Sequence, residues 1–349
     1  PLWYPLMLGI ITLAYLLLGS KIGSSGSDQP RKLWAELLLL VLGAAIIAVG
    51  GGSPIDVAKA VSILSANGGK IQDYNGYNKS KKHGAPIIAV NTTAGTGSEC
   101  TRAYVVTDEE TKSKMLMVDT NCLAHIALND PMLMVGMPPS LTAATGIDAL
   151  THAIEAYICN THTPFTDALA MESIRLVSDS LREAVRDGSN MDARTDMCWA
   201  EYMAGLAFSN AGLGLVHGIA HQLGGYYNIP HGLANAIMLP RVLEYNRPYC
   251  MGRLADVAQA MGEKVDHMTV DQASRQAIEA VRRLIEDVKI PPLCETKFDM
   301  KDIDILAEHA LQDTATLTNV VRPTRDDVKT IIAKTYYEGV VKKQVTSNG

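Results

Sequence analysis

The sequence lacks the short motifs of several common protein classes. Neither a G-x-S-x-G nucleophile elbow nor an H-E-x-x-H zinc motif occurs, so a serine hydrolase or a zincin has no support. Lysine and arginine form no phosphate-binding cluster, and the formal net charge of −6 argues against a nucleic-acid partner. The six cysteines contain no C-x-x-C pair, which indicates free thiols in a reducing compartment and predicts a cytoplasmic protein.

The apolar N-terminus has two interpretations. Residues 1–19 carry no charge and residues 33–49 carry one, so each approaches the roughly 20 apolar residues that span a bilayer. The polar, Gly/Ser-rich connector between them is typical of a hairpin turn or a flexible linker. A membrane hairpin through residues 1–49 and a buried helix followed by a buried strand both fit this pattern. We therefore treat residues 1–44 as a separate segment of undetermined role.

A change of pattern near residue 137 predicts two domains in the rest of the chain. Between residues 45 and 137, β-branched runs such as AAIIAV and PIIAV indicate buried parallel strands that alternate with a helix. Beyond this point amphipathic helices replace the strands, for example between Thr166 and Asp187. The expected fold is an α/β domain at 45–137 followed by an all-α domain at 138–349.

Local signals predict individual helix ends and turns. Ser53 is the expected N-cap of a helix that begins at Pro54. Thr324 and Asp327 resemble a capping box at the start of the last helix. The run DEETK at 108–112 predicts a hairpin turn.

Two loops at the ends of predicted strands favour a dinucleotide site. Glycines 50–52 and Ser53 follow a strand and open a helix, so their backbone N–H groups can approach a pyrophosphate. This run is not a G-x-G-x-x-G fingerprint, and alone it fits a plain tight turn equally well. A second loop, NTTAGTGSE at 91–99, places hydroxyl groups at the end of another strand, where open parallel sheets bind ligands.

The helical part contains residues suited to a transition metal. Asp148 and His152 are four residues apart and share one helix face, as do His217 and His221, while His231 follows after a break. One carboxylate with imidazoles suits iron or zinc better than calcium. Spacing alone does not decide which of the last three histidines bind the metal. The other five histidines stand alone, and we interpret them as structural or solvated.

The sequence resembles the iron-dependent (group III) alcohol dehydrogenases, in the branch of the methanol and propanediol dehydrogenases and lactaldehyde reductases. The resemblance runs from about Ala45 to Lys342 through GGGSPIDVAKA, TTAGTGSE, VVTDEETKSKM, ALNDP, ATGIDALTHAIEAY, GLGLVHGIAHQLGG and PHGLANAIMLP. It implies a nucleotide-binding α/β domain and a helical metal-binding domain. The implied reaction transfers a hydride between a primary alcohol or aldehyde and a nicotinamide cofactor.

The resemblance also implies roles for single residues. The metal is iron, with zinc as the alternative, and its ligand positions are Asp148, His152, His217 and His231. His221 stands in the place of the near-metal histidine that is not a ligand, and from the mechanism we expect it to relay a proton. The cofactor is NAD, with NADP not excluded, and the positions that line it are Gly51, Gly52, Ser53, Asp56, Thr92, Thr93, Thr96, Thr101 and Lys114. The expected partners are a small alcohol or aldehyde and further copies of the chain.

The chain departs from the family pattern at two places. Asn91 stands where the family usually has proline, and the family's first βαβ unit, with its ribose-reading acidic residue, is not recognisable before Ala45. Two other interpretations compete with the dehydrogenase. One is a lyase of the dehydroquinate synthase type, which needs a basic phosphate cluster that the sequence lacks near its histidines. The other is an inactive dehydrogenase-like protein on a membrane hairpin.

Overall fold

The computed structural model describes residues 45–108 and 113–347. The apolar segments before Ala45 and residues 109–112 of the expected turn lie outside the described residues, so the predictions made for them stay predictions. Residues Ala45–Gly349 form one compact unit. A domain boundary at residue 137 likewise stays a prediction.

The first part of the described chain alternates strands with one helix. Its elements are β1 (Ile46–Gly50), α1 (Gly52–Asn67), β2 (Gly76–Tyr77), β3 (Ile87–Asn91), β4 (Ala103–Asp108), β5 (Ser113–Val118) and β6 (Ile126–Asn129). Strands β1, β3 and β6 form a parallel sheet in that order. In a second sheet, β5 pairs with β2 in parallel and with β4 in antiparallel orientation. The predicted α/β fold is confirmed.

Pairing in the first sheet brings the two predicted cofactor loops together. The last residues of β1 and β3, Gly50 and Asn91, are register partners. Because the strands are parallel, the glycine loop after β1 and the threonine loop after β3 leave the sheet at the same edge.

Helix α1 begins two residues earlier than the sequence predicted. Its N-cap is Gly51, not Ser53, and no side chain caps it. Pro54 is still tolerated in the first turn because the N–H groups there have no helical partner. Space requires glycine at both positions, since a Cβ on Gly51 would come within 2.6 Å of Thr93 Oγ1 and one on Gly52 within 2.9 Å of Thr96 Oγ1.

The rest of the chain is helical, as predicted. The helices are α2 (Pro139–Ile158), α3 (Pro164–Arg186), α4 (Met191–Ala211), α5 (Leu215–Tyr227), α6 (His231–Ala260), α7 (Val270–Asp287), α8 (Ile303–Gln312) and α9 (Arg325–Ser347). Thr324 and Asp327 exchange hydrogen bonds at the start of α9, so the predicted capping box is confirmed. Among the described residues no single helix could cross a bilayer by length and composition, although α4 and α5 together, bent by 105°, could.

Helix α2 is the centre of the helical part. Every residue from Gly146 to Ile158 is buried, because α2 packs against α3, α4 and α6. Small residues allow this: a Cβ on Gly146 would come within 2.3 Å of Leu181 Cδ1. A helix that is buried all round places its polar side chains in the interior, where each needs a partner.

Candidate metal and cofactor site

Helix α2 carries the first two predicted metal ligands into the core. Asp148 and His152 lie one turn apart on the same face and are almost fully buried. The His152 ring stacks on Phe208 of α4, with the ring centroids 4.4 Å apart. This stacking fixes the plane of the imidazole beside the Asp148 carboxylate.

Helices α5 and α6 bring the other two ligands to the same point. His217 lies in the first turn of α5, and His231 is the first residue of α6. Their Nε2 atoms lie 4.0 Å and 3.7 Å from Asp148 Oδ1. The donor atoms of Asp148, His152, His217 and His231 all lie within 4.8 Å of one another, so the structure brings the four predicted ligands together.

His221 lies close to this cluster but is directed elsewhere. Its ring is stacked against that of His231 with centroids 5.4 Å apart, while its Nδ1 lies 2.9 Å from Asp313 Oδ2. Asp313 also accepts a hydrogen bond from Gln222. The arrangement fits a histidine near the metal that does not bind it.

Burial gives the cluster the protonation states that a metal requires. It lowers the pKa of His152, His217 and His231 well below the ordinary histidine value, and the neighbouring imidazoles lower it further. The three rings are therefore neutral, as ligands must be. Burial also raises the pKa of Asp148 to about 7, against the opposing effects of Asn235 and Lys114. A divalent cation would favour its carboxylate form.

The polar atoms of the cluster fit a bound metal. His152 Nδ1 and Asn235 Oδ1 are buried without a hydrogen-bond partner among the described residues. Such groups are costly to bury, which is consistent with a site that a ligand completes. One carboxylate and three imidazoles form a donor set that iron and zinc accept.

Three residues of the site were not predicted from the sequence. Glu155 Oε2 lies 2.6 Å from His217 Nδ1, and the Asn235 amide donates to Asp148 Oδ1 over 2.6 Å. Asp313 is the third, through its contact with His221. A signal existed for two of them: Glu155 lies two helical turns beyond Asp148, and Asn235 lies one turn beyond His231. Asp313 is remote in sequence and carries no such signal.

The two cofactor loops approach each other closely. Thr93 packs where a Cβ of Gly51 would be, and Thr96 packs against Gly52. Asn91, which stands in the family's proline position, holds this loop by accepting a hydrogen bond from Thr93 N over 3.1 Å. The threonine loop is thus fixed against the start of α1.

A single cleft runs from these loops to the histidines. Among the predicted cofactor positions it is lined by Gly52, Ser53, Asp56, Thr96, Thr101 and Lys114. At its other end it is lined by His152, His217, His221 and His231. Gly51, Thr92 and Thr93 are half-buried and are not among the residues that line it, and Thr93 packs against Gly51.

Several cofactor positions are held by protein contacts. Asp56 accepts hydrogen bonds from Ser98 Oγ over 2.6 Å and from Val105 N over 2.9 Å. Buried Lys59 donates to the Thr101 carbonyl over 2.9 Å. Burial lowers the pKa of Lys114, while attraction to Asp148 and Asp56 raises it. These contacts preorganise one wall of the cleft.

Comparison with known proteins decides the family. Residues 43–131 match the model for iron-containing alcohol dehydrogenase, and residues 142–336 match the C-terminal model of the Fe-containing alcohol dehydrogenase family. The chain belongs to the iron-containing alcohol dehydrogenase family. The predicted alcohol dehydrogenase of the iron-containing family is therefore confirmed.

Several members of this family are similar to the chain over most of its length. Alcohol dehydrogenase 4 of Saccharomyces cerevisiae is 48% identical, covering 83% of this chain and 75% of its own length. NAD-dependent methanol dehydrogenase of Bacillus methanolicus is 43% identical, covering 82% and 76%. A crystal structure of 1,3-propanediol oxidoreductase is 44% identical with a TM-score of 0.83, covering 85% and 79%. These relatives favour the dehydrogenase over the lyase interpretation.

Proposed function

We propose that this alcohol dehydrogenase binds ferrous iron through Asp148, His152, His217 and His231 and interconverts a small primary alcohol and its aldehyde in the adjoining cleft. The convergence of four donor atoms within 4.8 Å carries this proposal. Both iron and zinc accept these ligands, so the family to which the chain belongs is what favours iron. A ferrous ion at this point supplies a Lewis acid that polarises the substrate oxygen.

The cleft aligns the cofactor with the metal cluster. The N–H groups of Gly52 and Ser53 begin α1, and the positive end of this helix suits a pyrophosphate. Thr96, Thr101 and Lys114 line the same cleft as the histidines. A dinucleotide held by these residues would supply the hydride acceptor, and the shared cleft would let it approach a substrate at the cluster closely.

His221 is suited to proton transfer. It lines the cleft, it lies beside His231, and its Nδ1 is held by the Asp313 carboxylate. With Nδ1 held, Nε2 is left to exchange a proton with the substrate or with water. We assign it the role of proton relay.

The function is tested by metal content and by activity. Purified protein is expected to contain about one divalent ion per chain, and chelation should abolish alcohol oxidation followed at 340 nm, with iron or zinc restoring it. A panel of short primary alcohols, each with NAD and with NADP, then gives the substrate class and the cofactor preference. Full activity in metal-free protein would contradict the proposal.

Three further predictions concern the protein's surroundings. A homo-oligomer and a membrane contact through residues 1–49 stay predictions from the sequence. A cytoplasmic location is supported by the six cysteines, none of which forms a disulfide in the described chain.

A further inference from the structure

The protonation of the His217 ring determines whether this residue can bind a metal at all. A neutral imidazole carries one proton on two nitrogens, and only the bare nitrogen can be a ligand. His217 Nε2 faces the cluster, 4.0 Å from Asp148 Oδ1, whereas Nδ1 lies 2.6 Å from Glu155 Oε2, two helical turns further along α2. The site therefore requires the proton to reside on Nδ1.

We propose that Glu155 is the positioning residue that imposes this tautomer on His217, an inference that rests on the metal site proposed above. Glu155 Oε2 lies 2.6 Å from His217 Nδ1, and both side chains are buried. A carboxylate only accepts hydrogen bonds, so Nδ1 must donate and Nε2 is left with its lone pair. Carboxylate partners of this kind orient metal-binding histidines and raise their basicity.

The other side of the ring agrees with this assignment. Asn235 Nδ2 lies 3.0 Å from His217 Nε2 and also donates to Asp148 Oδ1. An amide N–H₂ group can only donate, so its position matches a bare Nε2. Two neighbours on opposite sides of the ring thus favour the same tautomer.

Glu155 has a second contact that ties it to helix α5. Its Oε1 accepts a hydrogen bond from Val216 N over 2.7 Å, in the first turn of a helix whose own N-cap, Gly214, has no side chain. A Cβ on Gly214 would come within 2.7 Å of Oε1, so glycine makes room for the contact. The Val216 N–H group that donates to Oε1 favours the carboxylate form of Glu155, because a hydrogen bond to a charged carboxyl group stabilises it.

Glu155→Gln separates the two contacts. The amide oxygen of glutamine can still accept from Val216 N, so the cap of α5 is retained. The amide nitrogen then faces Nδ1 and must donate to it, which moves the ring proton to Nε2. The variant has nearly the same size but presents an N–H group where the metal needs a lone pair.

The test compares metal binding by Glu155→Gln, wild type and a capping control. Asn319→Ala is the control, because Asn319 accepts from Leu215 N over 3.1 Å at the same helix end without touching a histidine. Cobalt(II) titration of metal-free proteins should show affinity roughly 10- to 100-fold weaker for Glu155→Gln. Asn319→Ala should melt at a lower temperature yet bind cobalt as wild type does.

Histidine ¹⁵N NMR of the metal-free proteins measures the tautomer directly. We expect the His217 proton on Nδ1 in wild type and on Nε2 in Glu155→Gln. Wild-type affinity in Glu155→Gln, or a proton on Nε2 in the wild type, overturns the inference. If Glu155→Gln does not fold, the wild-type spectrum alone decides. If the wild-type protein binds no cobalt, the proposed metal site is wrong. That result is distinct from a failure of the inference about the His217 tautomer.

Discussion

Two histidines one turn apart on α5 have different surroundings. His217 is enclosed by Glu155, Asn235 and the other predicted ligands, whereas His221 pairs with Asp313 and borders the cleft. A catalytic metal site keeps one position open for substrate, and an unligated imidazole nearby can move the proton. These surroundings favour His217 as the proposed ligand and His221 as the proposed proton relay, one helical turn apart.

Alanine substitutions should separate these roles. His217→Ala and His231→Ala each remove one of four ligands, so both variants are expected to lose bound metal. His221→Ala should retain about one metal per chain and oxidise alcohol more slowly, by roughly 10²- to 10⁴-fold, with an altered pH dependence. Metal analysis of the three purified proteins measures the difference. Metal-free His221→Ala beside metal-replete His217→Ala would reverse the assignment.

Residue spacing predicted which of the proposed ligands share a helix face better than it predicted their hydrogen-bond partners. Asp148 and His152 were expected on one helix face, and their donor atoms do converge with those of His217 and His231. The choice between His217 and His221 needed the family resemblance, because both lie on one face of α5. Asp313 could not be found, since only the tertiary fold brings the residue after α8 to α5.

At the scale of elements, the threonine loop depends on its contact with α4. Gly97 in this loop has φ of +62°, and a Cβ on it would come within 2.7 Å of Gly205 Cα in α4. The reverse contact is as tight, because a Cβ on Gly205 would lie 2.6 Å from Cys100 Sγ and 3.0 Å from Gly97 Cα. Loop and helix are in contact without intervening side chains.

Gly205→Ala should therefore displace the loop. Overpacking of this kind costs about 1–3 kcal/mol of unfolding free energy. Because the loop borders the cleft, the KM for NAD should rise as well. Gly252→Ala in α6 is the matched control: its Cβ would meet no atom within 4 Å, so it should be neutral or slightly stabilising. Thermal melts and NAD titrations of both variants check this, and equal behaviour would contradict it.

Helix α4 also holds the loop through a buried acid. Glu201 Oε1 accepts a hydrogen bond from Gly97 N over 2.5 Å, and Asn91 Nδ2 lies 3.4 Å from both carboxyl oxygens. Burial and repulsion from Glu99 raise the pKa of Glu201 well above the ordinary glutamate value. The folded protein therefore favours the protonated form.

This pKa shift predicts how stability depends on pH. A group with a raised pKa in the folded state stabilises the fold at low pH, and this contribution is lost as pH rises. Glu201→Gln stays neutral, so its unfolding free energy should fall less than that of wild type between about pH 5 and about pH 8. Urea unfolding at both pH values measures this. Glu172→Gln, which removes only an exposed pair with Arg175, should keep the wild-type slope.

The element boundaries show where sequence patterns were insufficient. Capping at Thr324 was predictable because both partners are local in sequence. The start of α1 was not, because Gly51 and Gly52 meet Thr93 and Thr96 of the loop after β3, a contact that only the tertiary fold makes. Local propensity does not report such a tertiary contact.

At the scale of the whole molecule, most of the apolar N-terminus lies outside the region that matches the family. The matched region begins at residue 43, so a chain that starts at residue 33 is expected to fold and to bind metal. Fractionation of cell extracts distinguishes the two interpretations of residues 1–32. A full chain in the membrane pellet beside a soluble truncated chain supports the hairpin, and two soluble proteins support internal packing. Loss of metal on truncation would show that this segment is required.

The metal ligands are distributed over α2, α5 and α6, with α3 and α4 between them along the chain. An ion held by Asp148 and His231 therefore acts as a reversible cross-link that closes this whole stretch of polypeptide. Closing a long loop removes entropy from the unfolded chain, and the free energy of metal binding adds to that of folding. If the site holds an ion as proposed, the metal-free protein unfolds more readily, and we expect proteases to cleave it faster than the metal-bound protein.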